Sequence, residues 1–214
     1  MRGRIWDAPT RLCHWLLVVL IPAAWWTAEN EWLDWHYRIG LTIVTLLVFR
    51  LAWGIVGSST ARFASFVRGP GAICAYLTGR GTGSIGHNPL GALSVLAMIG
   101  LLVVHVAFGL VSTDQDGLSP APLAHLVSYE VSEEAQDLHE TSFNLLLVLI
   151  GVHVAAVLYY ALFKRQDLVG PMLTGRGKLP DGVEPMRPAP AWRMALAFIV
   201  ALLFAWWIWS GAPL

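Results

Sequence analysis

His139 and His153 lie fourteen residues apart inside one apolar stretch of the chain. That spacing is close to four turns of α-helix. A helix there carries both imidazoles on one face, roughly 21 Å apart along its axis. A histidine inside a bilayer is costly to bury and is usually retained for function. Two of them at different depths of one helix require neighbouring helices to offer something at two matching levels. The chain is thereby restricted to a helical bundle with a laddered interior.

Composition agrees. Of 214 residues, 56% are hydrophobic and 13% charged, against about 25% charged in soluble domains. Five apolar segments approach the roughly 20 residues that span a bilayer: about 12–28, 36–56, 89–112, 139–163 and 192–210. Between them run Gly/Pro/Ser-rich loops at 57–88, 113–138 and 164–191, with a short interfacial helix expected over Gly69 to Leu77. Asn88 followed by Pro89 reads as an N-cap and first helical position. The expectation is an all-α integral membrane helical bundle. A four-helix core occupies 1–165, a cytoplasmic linker 166–191, and a fifth transmembrane helix 192–214. The basic N-terminus resembles a signal peptide. The stretch that follows contains His14, Trp15, Trp25 and Trp26 and no convincing small-residue cleavage site, so it reads as a retained first helix. Net charge is zero, which gives no case for nucleic-acid binding. Cys13 and Cys74 belong to no CxxCH, so no c-type haem is covalently attached.

Charge asymmetry sets the orientation. With a cytoplasmic N-terminus, thirteen of the fourteen basic residues fall on or toward the inside, and Arg38 alone lies near the outside. Glu29, Glu31, Asp34, Asp114, Asp116, Glu130, Glu133, Glu134, Asp137 and Glu140 all fall outside. Trp25, Trp26, Trp32, Trp35, Trp206, Trp207 and Trp209 read as outer interface anchors, and Trp6, Trp53 and Trp192 as inner ones. Five spans place the C-terminus outside.

With that topology the histidines sort by depth. His36 starts the second span and His139 the fourth, both at the outer level. His14 lies near the inner end of the first span, and His153 in the inner half of the fourth. Arg50 is fourteen residues after His36 and shares the depth of His153. A low-spin b haem takes two neutral imidazoles from facing helices. His36 with His139, and His14 with His153, supply that twice. Arg38 and Arg50 lie at the two levels where propionates want cations. The competing reading makes these histidines polar residues satisfied at helix contacts. Zinc is disfavoured, because no level collects three or four ligands. His105 in the third span reads as a haem neighbour, a quinone or proton group, or a hydrogen-bonded core residue. His87 and Asn88 head that span and could touch a quinone or propionate. His125 is uninformative, and Cys13 reads as a small apolar packer.

Three segments carry a resemblance: WDAPTRLCHWLL, GHNPLGALSVL and LHETSFNLLLVLIGVHVAAVLYYALFKRQDLVGPMLTG. They resemble the bacterial cytochrome b561 family, the diheme group that includes the b-type subunits of nickel–iron hydrogenases. The likeness runs from about residue 5 to 175, and ARFASFVRGP also looks like the family's inner loop. The resemblance implies four core helices, two haem b groups, and ligands on helices 1, 2 and 4. Carried over by motif, these are His14, His36, His139 and His153. The fifth helix and His105 lie outside the family's pattern.

Three functions follow as expectations. The first is a bacterial inner-membrane conduit that exchanges electrons with quinone on one side. On the other side its partner is a periplasmic redox protein, such as a c-type cytochrome, dehydrogenase or hydrogenase. The outer loop 113–138, with Glu29, Glu31 and Asp34, would dock a basic partner. Arg50, His87 and Asn88 are candidates for the quinone cleft. The second is a superoxide:ubiquinone oxidoreductase drawing the anion to the outer haem past Arg38, against which the acidic outer face argues. The third is a non-redox transporter using the histidines, whose purified protein would be colourless. Whether the chain is an enzyme or an electron-transfer subunit is open at this level, as is assembly into a homo-oligomer within the lipid.

Overall fold

The computed structural model describes residues 2–80, 85–113, 120–179 and 182–213. Five helices are long and apolar enough to cross a membrane: α1 (Ala8–Glu29), α2 (Leu33–Val56), α5 (Pro89–Val111), α6 (Tyr129–Leu162) and α8 (Ala191–Trp209). Shorter helices lie between them: α3 (Phe63–Phe66), α4 (Pro70–Leu77) and α7 (Val169–Thr174). The expected interfacial helix is α4, opened by Pro70 in its first turn. Asn88 caps α5 as the sequence suggests, its Oδ1 accepting from the Gly91 N–H at 2.7 Å.

Two elements depart from the sequence reading. The fourth span does not start at His139. Helix α6 begins ten residues earlier, at Tyr129. Glu, Ala, Gln and Leu dominate its first turns and are strong helix formers. Ser132 and Ala135 are buried there, and the Ser132 hydroxyl donates to the Val111 carbonyl at 2.6 Å. At 34 residues α6 is about 51 Å long, more than the hydrocarbon core requires. The second departure is a β-ribbon. Strand β1 (Arg2–Arg4) pairs antiparallel with β2 (Arg176–Lys178), inside what reads as N-terminal tail and linker.

The chain divides into two compact units, and every long helix contributes residues to both. The first comprises 1–14, 50–97 and 150–197. Its polar anchor is Asp7. This buried carboxylate caps α1 through the Thr10 N–H at 2.7 Å, accepts from Trp53 Nε1 at 3.0 Å, and accepts from the Ser58 hydroxyl. Trp53 and Trp6, read from sequence as inner-interface residues, are buried. Trp53 gives its indole N–H to Asp7, and Trp6 joins an apolar cluster with Ile5 and Leu179. Gly175 ends α7 with φ near 77°. Its carbonyl accepts from the N–H groups of Ile5 at 2.8 Å and Trp6 at 3.3 Å. A Cβ at Gly175 would lie 2.9 Å from the Trp6 carbonyl oxygen, so only glycine fits this close approach.

The second unit comprises 15–49, 98–149 and 198–214. Its apolar cluster joins Val44 of α2 with Leu123, Ile208 of α8 and Ala212, and packs against Leu41, Val48, Val106, Leu110 and Val111. The end of α8 therefore packs on α2 and α5 of its own chain. His125 supports this, its Nε2 lying 3.1 Å from the Gly211 carbonyl. Ala201, Ala205 and Ile208 form the buried stripe of α8, while Trp206 and Trp209 are exposed. Small residues on one face let helix backbones approach closely.

Candidate functional site

The second unit gathers three histidines. Helices α1 and α2 form a hairpin through a three-residue turn, Asn30 to Trp32, in which Glu31 takes a left-handed φ of 58°. The hairpin sets His36, in the first turn of α2, against α1, with Nδ1 2.9 Å from the Ala24 carbonyl. His139 faces His36, ring centres 6.2 Å apart and planes at 90°. His105 of α5 stacks on the other side of His139, with centres 3.9 Å apart and planes 12° from parallel. His139 Nδ1 lies 2.9 Å from the His105 carbonyl. In return, His105 Nδ1 lies 3.2 Å from the His139 carbonyl and 3.0 Å from the Ser142 hydroxyl.

This geometry has a chemical direction. In both His36 and His139 the Nδ1 atom meets a backbone carbonyl, so Nδ1 carries the proton and Nε2 presents the lone pair. A carbonyl on the far nitrogen is the usual partner of a metal-binding imidazole. Two imidazoles on opposite sides of one metal, each at about 2 Å, have ring centres about 6 Å apart. The His36–His139 separation fits bis-imidazole ligation of a haem iron. Among the described residues no group of three or more His, Cys, Asp or Glu could hold a bare metal ion.

Gly109 packs closely against the His139 ring. It follows His105 by four residues and shares its face of α5. A Cβ there would meet His139 Cε1 at 2.6 Å and Nδ1 at 2.8 Å. The sequence signal was available in HVAFG, a histidine and a glycine one turn apart in an apolar helix. His105, left open by the sequence, is hydrogen-bonded and in ring contact with His139.

The first unit holds the other pair, His14 of α1 and His153 of α6, both partly buried and within electrostatic reach of one another. Cys13 beside them is buried, in keeping with a packing role. His14 follows the Asp7 cap by seven residues, two turns along α1, so the anchoring of Asp7 also sets the rotation of His14.

Arg50 is buried near Asp7, its guanidinium 4.9 Å from the Phe63 ring centre and 3.4 Å from the Ala61 carbonyl. Arg38 is exposed and lies 5.7 Å over the Trp35 ring. His87 packs between Trp6, at 4.7 Å, and Phe66, at 4.3 Å. Burial, and next the Arg50 charge, push its pKa down to about 4. Sequence reasoning missed a polar chain here. Asn88 Nδ2 donates to the Tyr160 hydroxyl at 2.8 Å, and that hydroxyl lies 2.8 Å from the Tyr76 hydroxyl. Burial and the Tyr160 contact raise the Tyr76 pKa to about 12. Of the expected acidic docking face, Glu130, Glu133, Glu134, Asp137 and Glu140 lie on α6, and Asp114 and Asp116 fall outside the described residues.

Residues 5–175 match the family model described as prokaryotic cytochrome b561. No curated protein and no solved structure matches the chain.

Proposed function

The chain belongs to the prokaryotic cytochrome b561 family, whose role is transmembrane electron transfer on b-type haem; on that footing we propose that it holds two haems and relays electrons between membrane quinone and a periplasmic redox protein. His36 with His139 ligates one haem and His14 with His153 the other. The 6.2 Å ring separation of His36 and His139, with both Nδ1 atoms on carbonyls, is the observation that carries this reading. The fourteen-residue spacing of His139 and His153 on α6 extends it to a second level.

Bound haem supplies reversible one-electron chemistry. The chain supplies orientation. The Ala24 and His105 carbonyls fix the tautomers of His36 and His139 and raise their basicity as ligands. Gly109 makes room for the His139 ring, and His105 holds that ring in plane by stacking.

Quinone reduction consumes protons as well as electrons. The Asn88–Tyr160–Tyr76 chain, beside His87 and Arg50 in the first unit, offers exchangeable protons for it. The acidic residues Glu29, Glu31 and Asp34 favour a basic partner such as a c-type cytochrome. On this reading the N-terminus lies in the cytoplasm and the C-terminus in the periplasm of a bacterial inner membrane, which the distribution of basic residues supports. In this reading residues 1–165 form the haem core and 192–214 an added span.

A dithionite-reduced minus oxidised spectrum with pyridine haemochrome quantification tests the proposal. Two b haems per purified chain are expected. One would remove a ligand pair, and none would overturn the reading.

A further inference from the structure

The β-ribbon is built against its own electrostatics. Its register sets Arg2 directly opposite Lys178, Arg4 opposite Arg176, and Gly3 opposite Gly177. Directly opposed residues share a face of the ribbon, and residues two apart share it as well. Arg2, Arg4, Arg176 and Lys178 therefore form one cationic face, and all four are exposed. Like charges placed directly across a ladder destabilise it.

The other face explains why the ribbon forms nonetheless. A Cβ on Gly177 would lie 2.5 Å from Ile5 Cδ1 and 2.9 Å from Pro171 Cγ, and one on Gly3 would collide with Leu179. The glycine face thus lies flat on apolar side chains of the first unit. Arg4 is further tied by its carbonyl, which accepts from the Met186 N–H at 2.9 Å. Packing holds the strands together while the opposite face keeps four cations side by side.

Nothing among the described residues neutralises them. Among the described residues the one ion pair joins Arg187 to Glu184, and no carboxylate reaches the ribbon cations. Asp7 is committed to α1, Trp53 and Ser58, and Asp167 caps the Gly170 N–H at 2.7 Å. A counter-charge from outside the chain fits this face.

We propose that the cationic face of this ribbon binds the phosphate headgroups of anionic phospholipids. Three residues separate Arg4 from Ala8, where the first membrane span begins. At about 3.3 Å per residue the ribbon lies no farther than roughly 13 Å from the start of the span, beside the headgroup layer in which juxtamembrane cations engage anionic lipid. An anion over the face relieves the cross-strand repulsion, so lipid binding and ribbon pairing reinforce each other.

Native mass spectrometry of the intact, haem-loaded chain in neutral detergent tests this, with titration by dioleoyl-phosphatidylglycerol, dioleoyl-phosphatidylcholine or soluble glycerol 3-phosphate. The expected result is at least a fivefold preference for phosphatidylglycerol over phosphatidylcholine, with no competition by millimolar glycerol 3-phosphate. The R2Q/R4Q/R176Q/K178Q variant should lose that preference. It should also unfold at a higher temperature than the parent in lipid-free detergent, because its like-charge pairs are gone. The double variant R4Q/R176Q gives an intermediate preference and guards against misfolding of the quadruple one. A lipid preference that survives in the quadruple variant overturns the proposal. So does an absence of preference in the parent, which leaves an acidic protein as the ribbon's partner. Effective competition by glycerol 3-phosphate would replace the lipid with a free phosphate.

Discussion

The two units position their candidate haem-binding histidines by different means. In the second unit, polar contacts converge on the imidazoles themselves. His36, His139 and His105 each have Nδ1 on a carbonyl, and their rings pack on one another. In the first unit, contacts gather on chain ends and loops around Asp7, Gly175 and the ribbon, and Asp7 caps the helix that carries His14. The lesson is that a histidine can be oriented locally, by what its far nitrogen touches, or remotely, by how its helix is capped. Local orientation makes a site sensitive to its wall. Remote orientation makes it sensitive to a residue two turns away.

The comparison can be broken by substitution. The largest effect is expected for His139→Ala, which should halve haem per chain from two to one and leave the His14 site spectrally intact. Loss of both haems would show that the two sites do not load independently. Gly109→Val should come next. Its Cβ must displace the His139 ring, so one haem should lose its low-spin electron paramagnetic resonance signal while the other keeps it. Asp7→Ala mirrors this in the first unit. It leaves the Thr10 N–H, Trp53 Nε1 and Ser58 hydroxyl without their acceptor, costing about 3 kcal/mol or more. The affected haem should be the one on His14, and a loss confined to the His36 site would refute remote positioning.

Smaller effects sharpen the same contrast. His87 is neutral in the fold because burial and the Arg50 charge hold its pKa near 4, whereas the unfolded chain takes up a proton below about 6.5. Its contribution to stability is therefore complete above pH 6.5 and is lost as pH falls toward 4. His87→Leu should flatten that part of the thermal-stability profile against pH. Arg38→Gln should change least. It should leave stability within about 0.5 kcal/mol and lower the midpoint potential of the His36 haem by roughly 30 mV.

How much of this was legible depends on the length of each signal. Histidines in apolar segments stand out because few residues there are polar, and counting turns pairs them by depth. The spans were legible for the same reason, to within a few residues except at α6. That helix was missed at its start because YEVSEEAQDL is polar, and polarity resembles a loop even where the residues favour helix. The ribbon could not be read. Its strands are three residues each, carry no apolar alternation, and lie far apart in sequence. The burial of Trp53 was not legible, because an indole suits an interface and a buried acceptor equally well, and its acceptor Asp7 lies 46 residues away. Tyr76 and Tyr160 carry no signal until folding brings them together.

The pairing of Arg2 with Lys178 also bears on how the molecule is made. The first strand leaves the ribosome when its partner is still about 170 residues from being translated, on the order of ten seconds or longer at ordinary elongation speeds. Four of the five spans lie between the two strands and precede the second in synthesis. The ribbon can therefore close only after four of the five spans have been made, as a late latch. Until it does, the N-terminal cations remain available to hold that end of the nascent chain on its side of the membrane.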